Sequence, residues 1–416
     1  MIVVLLAIVF AALAGAALLR VIAPDLHGYS ATGASILIGI GYVVLVLFFL
    51  SVLHVTWSRS AIVIAVLAPL LLFLRRMPQK TRQAATPIDI VIVLLIAGHA
   101  IFATWAPMYE WDWFGIWGLK ARTFFDFGGI DWHFIQTNIS HPDYPLLTPL
   151  LVDYPSVVRR AWEDRFVGLM FTALSAGLIL IVRGTLAEEF ESEWLGGLGT
   201  LAITCPALNL WIGLAEGPVM AYGCAGLLLV RRGLTRASNT SIHLGAIFLG
   251  LSAWCKNEGL SLTLLAIFAT LLVSWRRAWR LWPSLAISGI WLVARALLHL
   301  QTDFMQGDVL ERVWFHLQRF GFFLKALFIY APDLRLFWIA AFLTLIVFAP
   351  RAWRQERFLT IALLSQAFLM AAQALATRAD LRAHIEFAWN RLPHQIAPAF
   401  GYLAVVLLIP LIKAAR

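Results

Sequence analysis

Residues 32–54 read TGASILIGIGYVVLVLFFLSVLH, an apolar run with no Asp, Glu, Lys or Arg in it. About 20 such residues in a helix cross the hydrocarbon layer of a bilayer, and a run of this kind has no place on the surface of a soluble domain. The pattern repeats on both sides. Residues 2–22 (IVVLLAIVFAALAGAALLRVI) carry one charge, Arg20. After residue 54, apolar stretches follow at 61–75, 88–107, 166–183, 194–214, 217–231, 241–255, 259–275, 282–300, 335–350, 358–376 and 396–413. Hydropathy therefore predicts about thirteen spans. Composition agrees. Of 416 residues, 61% are hydrophobic and 13% charged, with a mean hydropathy of +0.82, where a soluble domain carries about a quarter charged residues. A soluble enzyme, a disordered chain and a collagen-like fibre are excluded, and the long apolar segments are those of helices rather than of barrel strands. The expected fold is all-α, a polytopic transmembrane helical bundle. The opening stretch lacks a positive n-region and reads as a first span, with a cleaved leader as the alternative. Cys205, Cys224 and Cys255 have no paired spacing and suggest neither a disulfide framework nor a zinc site.

The connections predict an orientation. Arg75, Arg76, Lys80 and Arg82 form one basic loop, and Arg231, Arg232 and Arg236 a second. Arg276, Arg277 and Arg280 form a third, and Arg351, Arg354 and Arg357 a fourth. With alternating spans all four fall on one side, which the positive-inside rule makes cytoplasmic. The N-terminus is then outside. The net charge of +9 reports this orientation and not nucleic-acid binding. Glu188, Glu189, Glu191 and Glu193 read as a solvated acidic face on the inner side. Three longer segments, 108–165, 301–334 and 377–395, face the exterior. Function concentrates where polar residues gather at the membrane, and here they gather on that side. No internal repeat or separate soluble domain is visible.

The first outer loop contains YEWDWFGIWGLKARTFFDFGGIDWHFIQTNISHPDYPLLTPLL, residues 109–151. Trp113, Trp117, Ala121 and Phe124 recur at helical spacing, as in an interfacial helix whose aromatics dip into lipid while Lys120 and Arg122 leave the stripe. Gly128 and Gly129 break it. Glu110 and Asp112 lie where the fourth span leaves the bilayer, placed to act as general bases or to hold a cation. The alternative is a pair of solvated acids at a helix N-terminus. His141, Asp143 and Tyr144 stand in HPDYP between two prolines that stiffen the turn, as suits sugar hydroxyls or an ordinary structural loop. No third ligand has metal-site spacing, so no metal is expected.

Glu216, in GLAEGPVMAY, falls at the outer end of a span. Lys256 and Glu258, in AWCKNEGLSL, fall in a tight outer turn; the lysine can neutralise a phosphate as a point charge or simply pair with Glu258. Arg391 and His394, in WNRLPHQIAPAF, precede the last span. Arginine suits bidentate phosphate contact, though a snorkelling side chain accounts for its place equally well. Together these residues form an inventory for binding a lipid phosphate and deprotonating a hydroxyl.

With these motifs assembled, the chain resembles the GT-C-type integral membrane glycosyltransferases, bacterial mannosyltransferase-like group. The resemblance is carried by Asp112 followed by Trp117 to Ala121 and the Gly128–Gly129 turn, then by HPDYPLLTPLL, GLAEGPVMAY, GLSAWCKNEGLSL and NRLPHQIAPAF in that order. It covers residues 88–416, with 1–87 as an N-terminal three-span addition. The resemblance implies transfer of a sugar, with inversion, from a polyprenyl-phosphate donor to a lipid or glycan acceptor on the outer face, with no metal or other cofactor. It implies Asp112 as general base with Glu110 as substitute. Lys256 and Arg391 would hold the donor phosphate, assisted by Lys120 and His394. His141, Asp143, Tyr144, Glu216 and Glu258 would line the sugar or acceptor pocket. A bacterial inner membrane is implied as its place. Rival readings are a glycan polymerase or ligase, which would use Arg378, Arg382 and Arg391 on a pyrophosphate-linked donor, a transporter or flippase, and a structural subunit.

Overall fold

The computed structural model describes residues 1–74, 83–105, 108, 110–137, 141–208, 212–302, 308–329, 335–377 and 380–414. Arg75, Arg76, Lys80, Arg82 and Arg378 lie outside the described residues. Of the described residues 82% are helical and none lies in a strand. Before the first long loop come α1 (Ile2–Ile22), α2 (Gly28–Val52), α3 (Arg59–Leu67) and α4 (Pro87–Trp105). The loop itself holds α5 (Gly118–Phe127), α6 (Trp132–Thr137) and α7 (Leu147–Arg159). The central group is α8 (Gly168–Phe190), α9 (Glu193–Ala207), α10 (Glu216–Thr235), α11 (Asn239–Ala253), α12 (Asn257–Ala278) and α13 (Trp282–Leu297). Then follow α14 (Val309–Leu317), α15 (Phe320–Ile329), α16 (Arg335–Val347), α17 (Ala349–Gln355), α18 (Arg357–Leu375), α19 (Leu381–Ala388) and α20 (Ala397–Ala414).

Among the described residues, six helical stretches are long and apolar enough to cross a membrane: α1, α2, α4, α8, α18 and the stretch Asn257–Leu297, which is kinked at Ser274. A seventh arises if α16 and α17, bent by 78° against each other, count as one. The outer faces of these helices are apolar: Leu5, Leu6, Val9 and Phe10 on α1, Ile90, Val93, Leu94 and Ile101 on α4, and Leu336, Ile339, Leu343 and Ile346 on α16 are all exposed. An exterior of this kind belongs in lipid, not water. The chain is an α-helical membrane protein.

Helix contacts in lipid rest on small residues that let backbones approach. A Cβ on Gly15 of α1 would stand 1.9 Å from the Ser35 carbonyl of α2, and one on Gly39 would stand 1.9 Å from the Ala11 carbonyl. The first helices also join the central group directly. Tyr154 donates to the Ala7 carbonyl at 3.0 Å and Tyr222 to the Leu37 carbonyl at 2.9 Å. The helices α1, α2 and α3 of the expected N-terminal addition therefore share one core with the rest.

Two expectations are corrected. The stripe Trp113, Trp117, Ala121 and Phe124 faces the protein interior, packed in the core with α7, because α7 supplies an apolar partner that the loop sequence alone does not reveal. Trp111, Phe114 and Phe127 are the exposed aromatics of this segment instead. The acidic run is not simply solvated either. Glu188 pairs with Arg232 at 2.8 Å, Glu189 with Arg231 at 2.7 Å and Glu193 with Arg183 at 3.0 Å. These three arginines are buried, and buried charges persist when paired.

Those pairs define one end of the bundle. Arg183 also holds Asp89 through two hydrogen bonds of 2.7 and 3.2 Å, and Arg231 holds Glu356 through two of 2.6 Å. Ser192 and Ser238 cap α9 and α11 there, each accepting from a backbone N–H three residues on. Arg277 donates to the carbonyls of Gly233 and Leu234, and Glu356 lies between Arg354 and Arg357. Three of the four basic loops thus gather at this end. α10 runs from Glu216 at its start to Arg231 and Arg232 near its finish. At 1.5 Å per residue, Arg231 stands about 22 Å along the axis from Glu216.

Candidate functional site

At the other end of α10 the chain brings three distant turns together. Each owes its place to local structure. Asp112 precedes a π-helical turn, Trp113–Trp117, that leads into α5. Lys256 sits between α11 and α12, in a junction held tight because a Cβ on Gly259 would meet the Ser252 carbonyl at 1.9 Å. Arg391 follows α19 and enters a short 3-10 turn, Leu392–Gln395, opened by Pro393.

The charges form a chain. Arg391 Nη2 is 2.8 Å from Asp112 Oδ2, and its Nε is 3.6 Å from Glu216 Oε1. Lys256 Nζ donates to that same Glu216 oxygen at 2.9 Å and lies 3.4 Å from Glu258 Oε1. Burial works against the Lys256 ammonium, but Glu216 and Glu258 outweigh it and raise its pKa above the usual lysine range. Arg391 also covers the Phe387 ring at 4.8 Å, and Lys256 the Tyr144 ring at 6.0 Å. Among the described residues, Arg391 Nη1, Glu216 Oε2 and Glu258 Oε2 are buried with no hydrogen-bond partner.

These groups border a cavity of about 680 Å³. One wall is polar, with Asp112, His141, Tyr144, Lys256, Glu258 and Arg391. The α18–α19 region adds a mixed lining, with Leu369, Ala372, Ala376, Phe387 and Ala388 beside Gln373, Thr377 and His384. Six of the residues singled out in the sequence therefore line one space. His141 and Tyr144 are stacked at 4.6 Å with an angle of 12° between rings, and Tyr144 stacks on Trp117 at 5.4 Å. Burial raises the Tyr144 hydroxyl pKa, so that ring stays neutral.

The remaining candidates stand behind or beside the wall. Glu216 is buried beneath Lys256 and Arg391 and anchors both. Asp143 is fully buried; it accepts from Asn257 at 2.8 Å and lies 3.8 Å from Arg295. Lys120, expected at a phosphate, does not reach the cavity. Its ammonium donates to the carbonyl of His141 at 3.0 Å and approaches that of Tyr144 at 3.5 Å, tying down the HPDYP turn from below. Complete burial pushes its pKa down to about 7, against the opposing pull of Asp143. Glu110 and His394 are half-buried and also lie off the cavity wall.

Sequence reasoning missed Asn257 and His384, both on the wall. Asn257 adjoins Lys256 in the quoted turn and could have been read there. His384 lies in LRAHIEF, where nothing local marks it. Burial lowers the His384 pKa, and Lys256, Arg391 and His316 lower it further. Arg382, a candidate for a second phosphate, is exposed and pairs with Glu386 on its own helix at 2.7 Å.

Comparison with known proteins finds no match: no family model, no curated protein and no solved structure matches the chain. Of the five sequence motifs singled out above, four contribute residues to the cavity wall.

Proposed function

We propose that the protein is a membrane glycosyltransferase that moves a sugar from a polyprenyl-phosphate donor to a lipid or glycan hydroxyl. One observation carries the reading: a carboxylate, Asp112, and two cations, Lys256 and Arg391, converge on a cavity whose lining also includes apolar residues such as Leu369, Ala372 and Phe387. A lipid phosphate needs that combination of fixed positive charge and apolar surface.

In this reading the acceptor oxygen bonds to the anomeric carbon from the face opposite the phosphate. Its proton passes to the Asp112 carboxylate, and the electron pair of the broken carbon–oxygen bond leaves with the lipid phosphate. Lys256 and Arg391 stabilise the charge growing there, and the carboxylate supplies general-base assistance. Tyr144, His141 and Asn257 would offer stacking and hydrogen bonds to the sugar. Glu216 holds the two cations in place. The reading includes about thirteen crossings, a GT-C-like arrangement, and the cavity end facing away from the cytoplasm, since three basic loops gather at the opposite end. It places the chain in a bacterial inner membrane. The diphosphate rival loses support from the pairing of Arg382 with Glu386.

The test compares host cells in which wild-type protein or Asp112→Asn replaces the native copy, with lipid extracts and envelope glycans profiled by mass spectrometry. The expected result is accumulation of one polyprenyl-phosphate sugar and loss of that sugar from one glycan. Unchanged profiles at normal protein level would remove Asp112 from the base position.

A further inference from the structure

A second cavity, of about 380 Å³, lies at the end of α13, lined by Leu292, Arg295, Ala296, His299, Leu300 and Gln301. Among the described residues no carboxylate lines it. Arg295 is the cation there, with its side chain one-quarter exposed. Its Nε donates to the Leu300 carbonyl at 3.3 Å, which fixes the guanidinium plane, and the fully buried Asp143 stands 3.8 Å from Nη1. That distance exceeds a hydrogen bond, so the guanidinium is oriented without being saturated by its acid.

The surroundings say what kind of anion fits. α13 closes the stretch Asn257–Leu297 that is long and apolar enough to cross a membrane. A guanidinium at such a helix end stands at headgroup depth. Leu292, Val293 and Leu297 on the same helix are exposed, at 39%, 58% and 74%, and form an apolar track leading from the cavity into the bilayer. A phosphate in the cavity would continue into acyl chain along that track.

We propose that this cavity binds the phosphate headgroup of an anionic membrane lipid, with Arg295 as its principal contact. The site is separate from the large cavity but linked to it. Asp143 faces Arg295 on one side and holds Asn257, a residue of the large cavity, on the other. The proposal rests on the membrane character of the chain and not on the glycosyltransferase reading.

The test uses purified full-length protein in detergent with added phosphatidylglycerol, phosphatidylethanolamine or inorganic phosphate, read by native mass spectrometry and by thermal unfolding. Wild type should retain phosphatidylglycerol in preference to phosphatidylethanolamine and gain stability from it. Arg295→Gln should bind it about tenfold more weakly or worse, the loss of one charge-assisted contact, whereas Arg122→Gln, at an exposed arginine paired with Asp126, should match wild type. Arg295→Lys should retain intermediate binding, which keeps the test valid if Arg295→Gln misfolds. Equal retention by wild type and Arg295→Gln would overturn the site. Equal protection by millimolar inorganic phosphate would assign it to a free anion and overturn the lipid.

Discussion

The two ends of α10 carry nearly the same charges to different effect. At the Arg231 end, Arg183, Arg231 and Arg232 are each held by a carboxylate through two hydrogen bonds, and Arg231 takes a second acid as well. These groups do not line either cavity. At the Glu216 end, Arg391 is shared between Asp112 and Glu216, Lys256 between Glu216 and Glu258, and atoms of three of these side chains lack hydrogen-bond partners among the described residues. The cluster borders a cavity. Arg183 Nη1 and Glu193 Oε2 at the Arg231 end also lack hydrogen-bond partners among the described residues, so completeness of pairing does not separate the two ends. Pairs with neither cavity beside them lock helices together, whereas shared pairs beside a space can exchange partners with a ligand. The same residue types thus separate into structural and functional roles by whether a cavity adjoins them.

Removing one arginine from each end should separate the two roles. Arg231→Met leaves Glu356 and Glu189 facing a buried gap, and breaking such a pair costs about 3–5 kcal/mol. It should lower the thermal unfolding midpoint strongly and reduce the amount of protein in the membrane. Arg391→Gln should lower the midpoint less, since Glu216 retains Lys256 and Asp112, which loses its partner, borders the cavity, while abolishing the lipid and glycan changes that depend on the protein. Equal destabilisation would make both ends structural.

Lys120 sharpens the picture within the cavity end. Its folded pKa of about 7 lies below its unfolded value, so the unfolded chain binds the extra proton between about pH 7 and pH 10.5. Wild-type stability should therefore rise with pH through that window, by an amount on the order of a few kcal/mol. Lys120→Met should flatten the rise, and it should be more stable than wild type relative to that trend below pH 7. Thermal unfolding in detergent across pH 6–10 measures it; parallel curves for the two proteins would show that the buried amine does not titrate.

The smallest effect belongs to Tyr144→Phe. The ring stack with His141 and Trp117 survives and the hydroxyl has no hydrogen bond among the described residues to lose, so stability should change by under about 1 kcal/mol. Any larger change in turnover would then assign the hydroxyl to substrate.

The membrane character of the chain was legible because 20-residue apolar runs admit one solution in lipid. Asp112, His141, Tyr144, Lys256, Glu258 and Arg391 were legible for a related reason: a charge kept at the end of an apolar helix has to be used. What escaped the sequence was pairing over distance. Asp89 and Arg183 are 94 residues apart, and Arg231 and Glu356 are 125 apart, so an acidic run looked solvated until its arginines were seen. Lys120 failed the phosphate reading for the same reason, since the carbonyls it serves belong to a loop 21 to 24 residues on. The aromatic stripe of α5 had the correct period but the wrong partner, because periodicity reports a buried face without saying whether lipid or protein covers it.

The central claim is that the cavity at the Glu216 end receives a lipid-linked phosphate through Lys256 and Arg391. Binding of a polyprenyl phosphate to purified wild-type protein, Arg391→Gln and Lys256→Met, followed by native mass spectrometry, tests it most directly. The account predicts one bound lipid on wild type and at least about tenfold weaker binding to each variant. Equal binding to all three, or none to wild type, would contradict it.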